Sequence, residues 1–262
     1  MKRREFLGAS CIAAAAAMSK AALRARAAGV ATGARQLLEL RLYQTQAGAM
    51  RQKLDKFLSH AAVPAWNRLG IKPVGVFAHA DPQVADLYVL LPHDSIESFV
   101  TATERLWGDA EFVKAAGDAL DTPKNAPIYT RIETTLLLAF EGAPKVEVPT
   151  KAPTRVFQLR IYESHCDERA RRKIAMFNQG GELALFRKVG MNPVFFGQRL
   201  AGTRMPNLTY MLGFDDEAAQ KTAWRKFLAH PEWKNLRSDP QYRDTVSKIT
   251  NIPLKPTPYS QI

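Results

Sequence analysis

The stretch Glu39-Leu40-Arg41-Leu42-Tyr43 returns 119 positions later as Gln158-Leu159-Arg160-Ile161-Tyr162. In both copies a leucine or isoleucine alternates with a polar or aromatic side chain, the period-two signature of a strand with one apolar and one polar face. A five-residue echo carries weight only if the flanking sequence repeats as well.

It does. After the first copy, Met50, Leu54, Phe57, Leu58, Ala61, Ala65 and Leu69 recur at the spacing of one buried helical stripe. Pro64 inside that stripe predicts a kink. Gly70-Ile71-Lys72-Pro73-Val74 then ends the helix and opens a strand, and Gly190-Met191-Asn192-Pro193-Val194 stands in the same role 120 positions on. Two apolar strands follow in each half, Val74 to Phe77 with Leu87 to Leu91, and Val194 to Gly197 with Leu208 to Leu212. Tyr88 and Tyr210 read as equivalent positions on them. An acidic start comes next, Asp94 with Glu97 as a capping box in one half and Asp215-Asp216 in the other, each opening a second amphipathic helix. A last strand near Ile128 to Leu138, and again near Val246 to Leu254, closes each unit.

Each half thus reads strand, helix, strand, strand, helix, strand, the order of a ferredoxin-like unit with both helices on one face of its sheet. The central strands are apolar on both faces and need cover on both. The fold class that follows is α+β: two tandem ferredoxin-like repeats packed sheet to sheet as an intrachain pseudo-dimeric α/β barrel. The repeats span residues 37–140 and 155–258, and the Pro-containing stretch 141–154 links them.

The ends and composition limit the function. Arg3-Arg4 followed by Phe6-Leu7, an apolar run from Gly8 to Met18 and Ala25-Arg26-Ala27 predict a twin-arginine export signal over residues 1–27, and hence a periplasmic protein. The run is shorter than the ~20 apolar residues that span a bilayer, so no transmembrane segment is expected. Cleavage after Ala27 removes six Lys/Arg and one Glu and lowers the formal charge from +12 to +7. The remaining excess is dispersed. The basic tract Arg169 to Lys173 lies beside Asp167 and Glu168 and reads as a solvated helix face, which argues against a nucleic-acid partner. Cys166 alone would survive cleavage, so stability rests on a core and not on a disulfide.

Taken together and in order, the E-L-R-x-Y strand, the G-I-K-P-V-G turn, the Asp-opened second helix and its His230-Pro231-Glu232-Trp233 end resemble the NIPSNAP family of the dimeric α/β-barrel superfamily. The resemblance covers nearly all of residues 37–258 and is stronger in the second half, around Trp224. It implies an α/β barrel whose sheets enclose a lumen, without implying an established reaction.

If Leu40, Leu42, Leu159 and Ile161 pack on the helices, then Glu39, Arg41, Tyr43, Gln158, Arg160 and Tyr162 project into the lumen. Charges there need partners or an anionic ligand. Two readings follow. In one, Glu39, Arg41 and Tyr43 are catalytic and Arg160, Tyr162, Tyr88, Tyr210 and Gln158 bind a small anionic or aromatic molecule, in the manner of cofactor-free oxygenases or isomerases. In the other, the module binds a ligand or a protein without catalysis, and the charges form a structural network. No metal or cofactor signature is present. His79 and His93 lie at opposite ends of a hairpin, and His165-Cys166-Asp167-Glu168 reads as a helix start. Some barrels of the superfamily hold haem through a histidine, but no residue here points to it. Self-association through exposed barrel edges remains open.

Overall fold

The structure, a computed structural model, describes residues 35–262; the expected export signal lies outside the described residues. The first repeat runs β1 (Leu37–Gln44), α1 (Ala49–Phe57), a π-helical turn (Leu58–Ala62), α2 (Val63–Arg68), β2 (Gly75–His79), β3 (Leu87–His93), α3 (Ile96–Trp107), α4 (Ala110–Ala116) and β4 (Arg131–Ala139). The second follows the same order with β5 (Val156–Glu163), α5 (Asp167–Asn178), α6 (Glu182–Lys188), β6 (Asn192–Ala201), β7 (Asn207–Phe214), α7 (Glu217–Ala229), α8 (Pro231–Ser238) and β8 (Lys248–Pro256). None of the described helices is long and apolar enough to cross a membrane.

The single long helix read from Met50 to Leu69 is instead two α segments joined through the π turn, where Val63 N–H donates to Leu58 O. Pro64 has no N–H for the next helical bond, and the wider turn absorbs the misfit. In the second repeat the break falls at Gly180-Gly181. A Cβ on Gly180 would meet Met176 O at 2.7 Å, and Gly181 caps α6 at φ 88°, so both positions call for glycine. The second helical layers start on caps. Asp216 accepts from Ala219 N–H at 2.7 Å, but in the first repeat Ser95, not Asp94, caps α3, because Asp94 instead accepts from Gln36 Nε2.

All strand pairs are antiparallel and the sheet closes on itself in the order β1-β3-β2-β8-β5-β7-β6-β4. Each repeat contributes four strands. The seams are β2 with β8, where Phe77 faces Pro256, and β4 with β6, where Leu137 faces Arg199. A closed eight-stranded barrel is just wide enough for side chains to fill it or to hold one small ligand. Leu38, Phe77, Leu90, Phe157, Leu159, Phe195, Met211 and Leu254 fill most of it, with the Phe77 and Phe157 rings edge to face at 4.9 Å. Two further cores lie between the sheet and the helices, one per repeat.

The two faces of β1 and β5 are therefore the reverse of the sequence expectation. Leu40 and Leu159 point into the lumen, while Tyr43, Tyr162 and Tyr210 belong to the cores beneath the helices. Alternation shows that the faces differ, not which one is drier. Where Leu38, Phe77, Phe157 and Phe195 fill the lumen, an arginine head would find no partner. Under the helices, the arginine stems can lie on aromatic rings while their heads reach the margin.

Candidate functional site

In the first repeat, Glu39, Arg41 and Tyr43 project from β1 toward the helices. Arg41 Nε donates to Glu39 Oε1 at 2.6 Å, and its Nη1 lies 3.5 Å from the Tyr43 hydroxyl. The Arg41 guanidinium also sits 5.4 Å from the centroid of the Trp66 ring on α2. The other Glu39 oxygen meets His93 Nε2 at 3.1 Å, and His93 Nδ1 meets Ser98 Oγ at 3.0 Å. Burial pushes the Glu39 carboxyl up, but the His93 hydrogen bond and the Arg41 charge outweigh it and hold the pKa below the ordinary glutamate value. Burial also opposes the Arg41 cation, and its Tyr43 and Glu39 neighbours more than offset this, raising its pKa. Tyr43 is raised by burial. The cluster is closed: both carboxylate oxygens and the arginine Nε have partners. In the sequence His93 shows only as a histidine at one end of a hairpin. With Leu37 opposite His93 and Glu39 opposite Leu91, the antiparallel register makes His93 the diagonal neighbour of Glu39 on the same face.

The second repeat keeps the frame and changes the charge balance. Gln158 replaces the carboxylate, and its Oε1 accepts from Trp224 Nε1 of α7 at 2.8 Å. Arg160 is thus left without an acid. Its guanidinium lies 4.6 Å from the Trp224 centroid and 5.5 Å from that of Tyr162, and its Nε is buried with no acceptor. Burial opposes this cation too, but the phenols of Tyr210 and Tyr162 outweigh it and its pKa is raised. Those two hydroxyls are themselves joined, Tyr210 donating to Tyr162 at 2.8 Å, and burial holds the Tyr210 phenol well above its ordinary range. Beside Gln158 and Trp224 the surface opens into a depression of about 760 Å³, also bordered by Lys221, Arg225 and Lys234.

Below this cluster, Lys173 Nζ contacts Glu182 Oε2 at 2.6 Å, both side chains almost fully buried. The same ammonium lies 4.6 Å from the Phe177 centroid and 5.8 Å from that of Trp233. Burial raises the Glu182 carboxyl despite the lysine. Lys173 corrects the reading of its tract as wholly solvated: Arg171 and Arg172 do face solvent and pair with Glu168, but Lys173 turns inward. The break at Gly180-Gly181 restarts the helix so that Glu182 points inward to meet it.

One further placement is corrected. Tyr88 is not equivalent to Tyr210: it lies opposite Leu42 and faces the lumen, whereas Tyr210 lies opposite Arg160 and faces the helices. The sequence match was one residue out of register, and in a strand one residue reverses the face. The structure accordingly brings Gln158, Arg160, Tyr162 and Tyr210 together in one repeat and Glu39, Arg41 and Tyr43 in the other, with Tyr88 in neither cluster. Cys166 stands at the N-cap position of α5 without a side-chain capping bond, and His230 Nδ1 accepts from Glu232 N–H at the start of α8. Among the described residues no group of three His, Cys, Asp or Glu is placed to hold a metal.

Residues 157–261 match the NIPSNAP family. The NIPSNAP match runs from β5 past β8 and so includes every member of the Arg160 cluster. Among solved structures, the chain is similar to a candidate monooxygenase of Fusobacterium nucleatum, with TM-score 0.56 and 7% identity over 85% of this chain and 93% of that one. It is also similar to a candidate monooxygenase of Lactobacillus acidophilus, with TM-score 0.54 and 11% identity over 85% and 94%. A third is an anthrone oxidase-like protein, with TM-score 0.52 and 11% identity over 86% and 93%. At these identities the likeness is one of fold, the α/β barrel. No curated protein matches the chain.

Proposed function

We propose that this is a NIPSNAP-type protein that binds a small aromatic anion beneath the helices of its second repeat, with Arg160 as the anion-holding group. The observation that carries the reading is the state of Arg160: a half-buried guanidinium between Trp224 and Tyr162, with no carboxylate and an unused Nε donor. A cation withdrawn from water without an acid is costly unless an anion completes it. Trp224, on the wall of the depression, offers a ring face to an aromatic ligand, and Lys221, Arg225 and Lys234 around it attract negative charge. Arg160 would equally stabilise charge developing on an enolate or phenolate oxygen, so the same site suits cofactor-free oxygenase or isomerase chemistry; of the proteins that share the fold, one is named a candidate monooxygenase and another an anthrone oxidase-like protein.

Benzoate titration followed by tryptophan fluorescence tests the binding. Saturable quenching in the wild type, lost in Arg160→Met but kept in Arg41→Met, is the expected result. Equal binding by both variants, with unchanged circular dichroism, would remove Arg160 from the site. Export by the twin-arginine route is also proposed, on residues 3–27 alone. N-terminal sequencing of protein recovered from the periplasm should begin at Ala28.

A further inference from the structure

The barrel lumen is not filled along its whole length. At the end where Leu42 and Ile161 point inward, a cavity of about 110 Å³ remains. Its floor is Leu40, Leu159, Ile161 and Ile252, and Tyr88, Arg199 and Arg204 stand at its rim. Arg199 is the unusual member. It is 5% exposed, and none of its nitrogens reaches a carboxylate. Nη1 donates to the Thr203 carbonyl and Nη2 to Thr209 Oγ1 at 3.3 Å, while Nε is buried without an acceptor. Arg204, held at φ 60° in the β6–β7 turn, brings a second guanidinium to the same cavity. Burial and the Arg204 charge push Arg199 down to about 10, against a weaker opposing pull from Glu163. Glu133, also at the rim, accepts from Gln44 Nε2. Two arginines thus share a pocket in which neither has an acid within bonding distance, above a floor of aliphatic side chains.

We propose that this end of the barrel binds a short aliphatic monocarboxylate, its head group taken by Arg199 Nε and the Arg204 guanidinium and its tail laid on Leu40, Leu159 and Ile161. An anion there would supply the missing acceptor and separate two like charges. The cavity is smaller than the ~150 Å³ that admits benzene. Size therefore favours a chain of two to about four carbons over the aromatic ring assigned to Arg160.

Titration of the whole protein with carboxyl-labelled ¹³C propionate, read by NMR, tests the site. The expected result is a saturable shift that weakens about tenfold or more in Arg199→Met and in Arg204→Met, and that persists in Arg160→Met. Arg199→Met removes a buried charge and should fold. Ile161→Phe fills the floor while keeping both arginines, and should abolish propionate binding on its own account. No saturable shift, or a shift that Arg199→Met and Ile161→Phe leave unchanged, would overturn the proposal and leave Arg199 a structural residue. A benzoate response that depends on Arg199 would overturn the size argument. Because the two sites use different arginines and different probes, failure here leaves the Arg160 reading standing, and the reverse.

Discussion

The two helix-covered sites descend from one pattern and have come to differ in what their arginine faces. In the first repeat, Glu39 satisfies Arg41 and His93 at once, and nothing in the cluster asks for a ligand. In the second, the glutamate position is Gln158, which turns its oxygen to Trp224, and Arg160 is left between aromatic rings. One oxygen in place of an amide nitrogen thus separates an arginine that has an internal acid from one that has none, on the same backbone.

That comparison can be attacked at several points. Lys173→Met leaves Glu182 buried and alone, and should cost about 3–5 kcal/mol in urea unfolding, while Lys173→Met with Glu182→Leu should recover most of it. A loss below about 1 kcal/mol would mean that the pair is hydrated and that the second repeat is less closed than described.

Glu39→Gln imitates the second repeat in the first and should destabilise by about 1.5–3 kcal/mol, because a charged acceptor is removed from Arg41 and His93. Its pH profile is the sharper measurement. The folded pKa of Glu39 lies below its ordinary value of 4.5, so its contribution is present above that value and lost as pH falls through the folded pKa. Wild type should therefore lose stability in that acid window, and Glu39→Gln should lose less. Parallel profiles would show that the carboxylate is not held by its partners.

The reverse exchange, Gln158→Glu, should give Arg160 an internal acid and weaken benzoate about 10- to 100-fold with little change in stability. Unchanged affinity would refute the claim that the missing carboxylate makes the site. Trp224→Phe is the mildest change: a ring face for Arg160 stays, only the hydrogen bond to Gln158 goes, and a loss of about 0.5–1.5 kcal/mol in thermal or urea unfolding is expected.

The arginine at the centre of each site was legible from the repeated pentapeptide, and so was the replacement of Glu39 by Gln158. The partners were not. His93, Lys173, Glu182 and Trp224 lie from 13 to 64 residues from the nearer strand arginine, and which of them turns inward depends on helix rotation and strand register. Lys173 is the plain case: its tract has the composition of a solvated face, and only the Gly180-Gly181 turn, which brings Glu182 to it, makes burial tolerable. Tyr88 and Tyr210 show how little error is allowed, since one residue of misalignment moved a tyrosine through the sheet.

The alternation, the repeat and the order of elements are local properties written into the chain, and they suffice for two ferredoxin-like units that need each other's apolar faces. Which face of β1 and β5 would be dry depended on closure. Once β2 met β8 and β4 met β6, the lumen became narrow enough for leucine and phenylalanine to fill, and the arginines were displaced to the helix side, where water and aromatic rings could hold them.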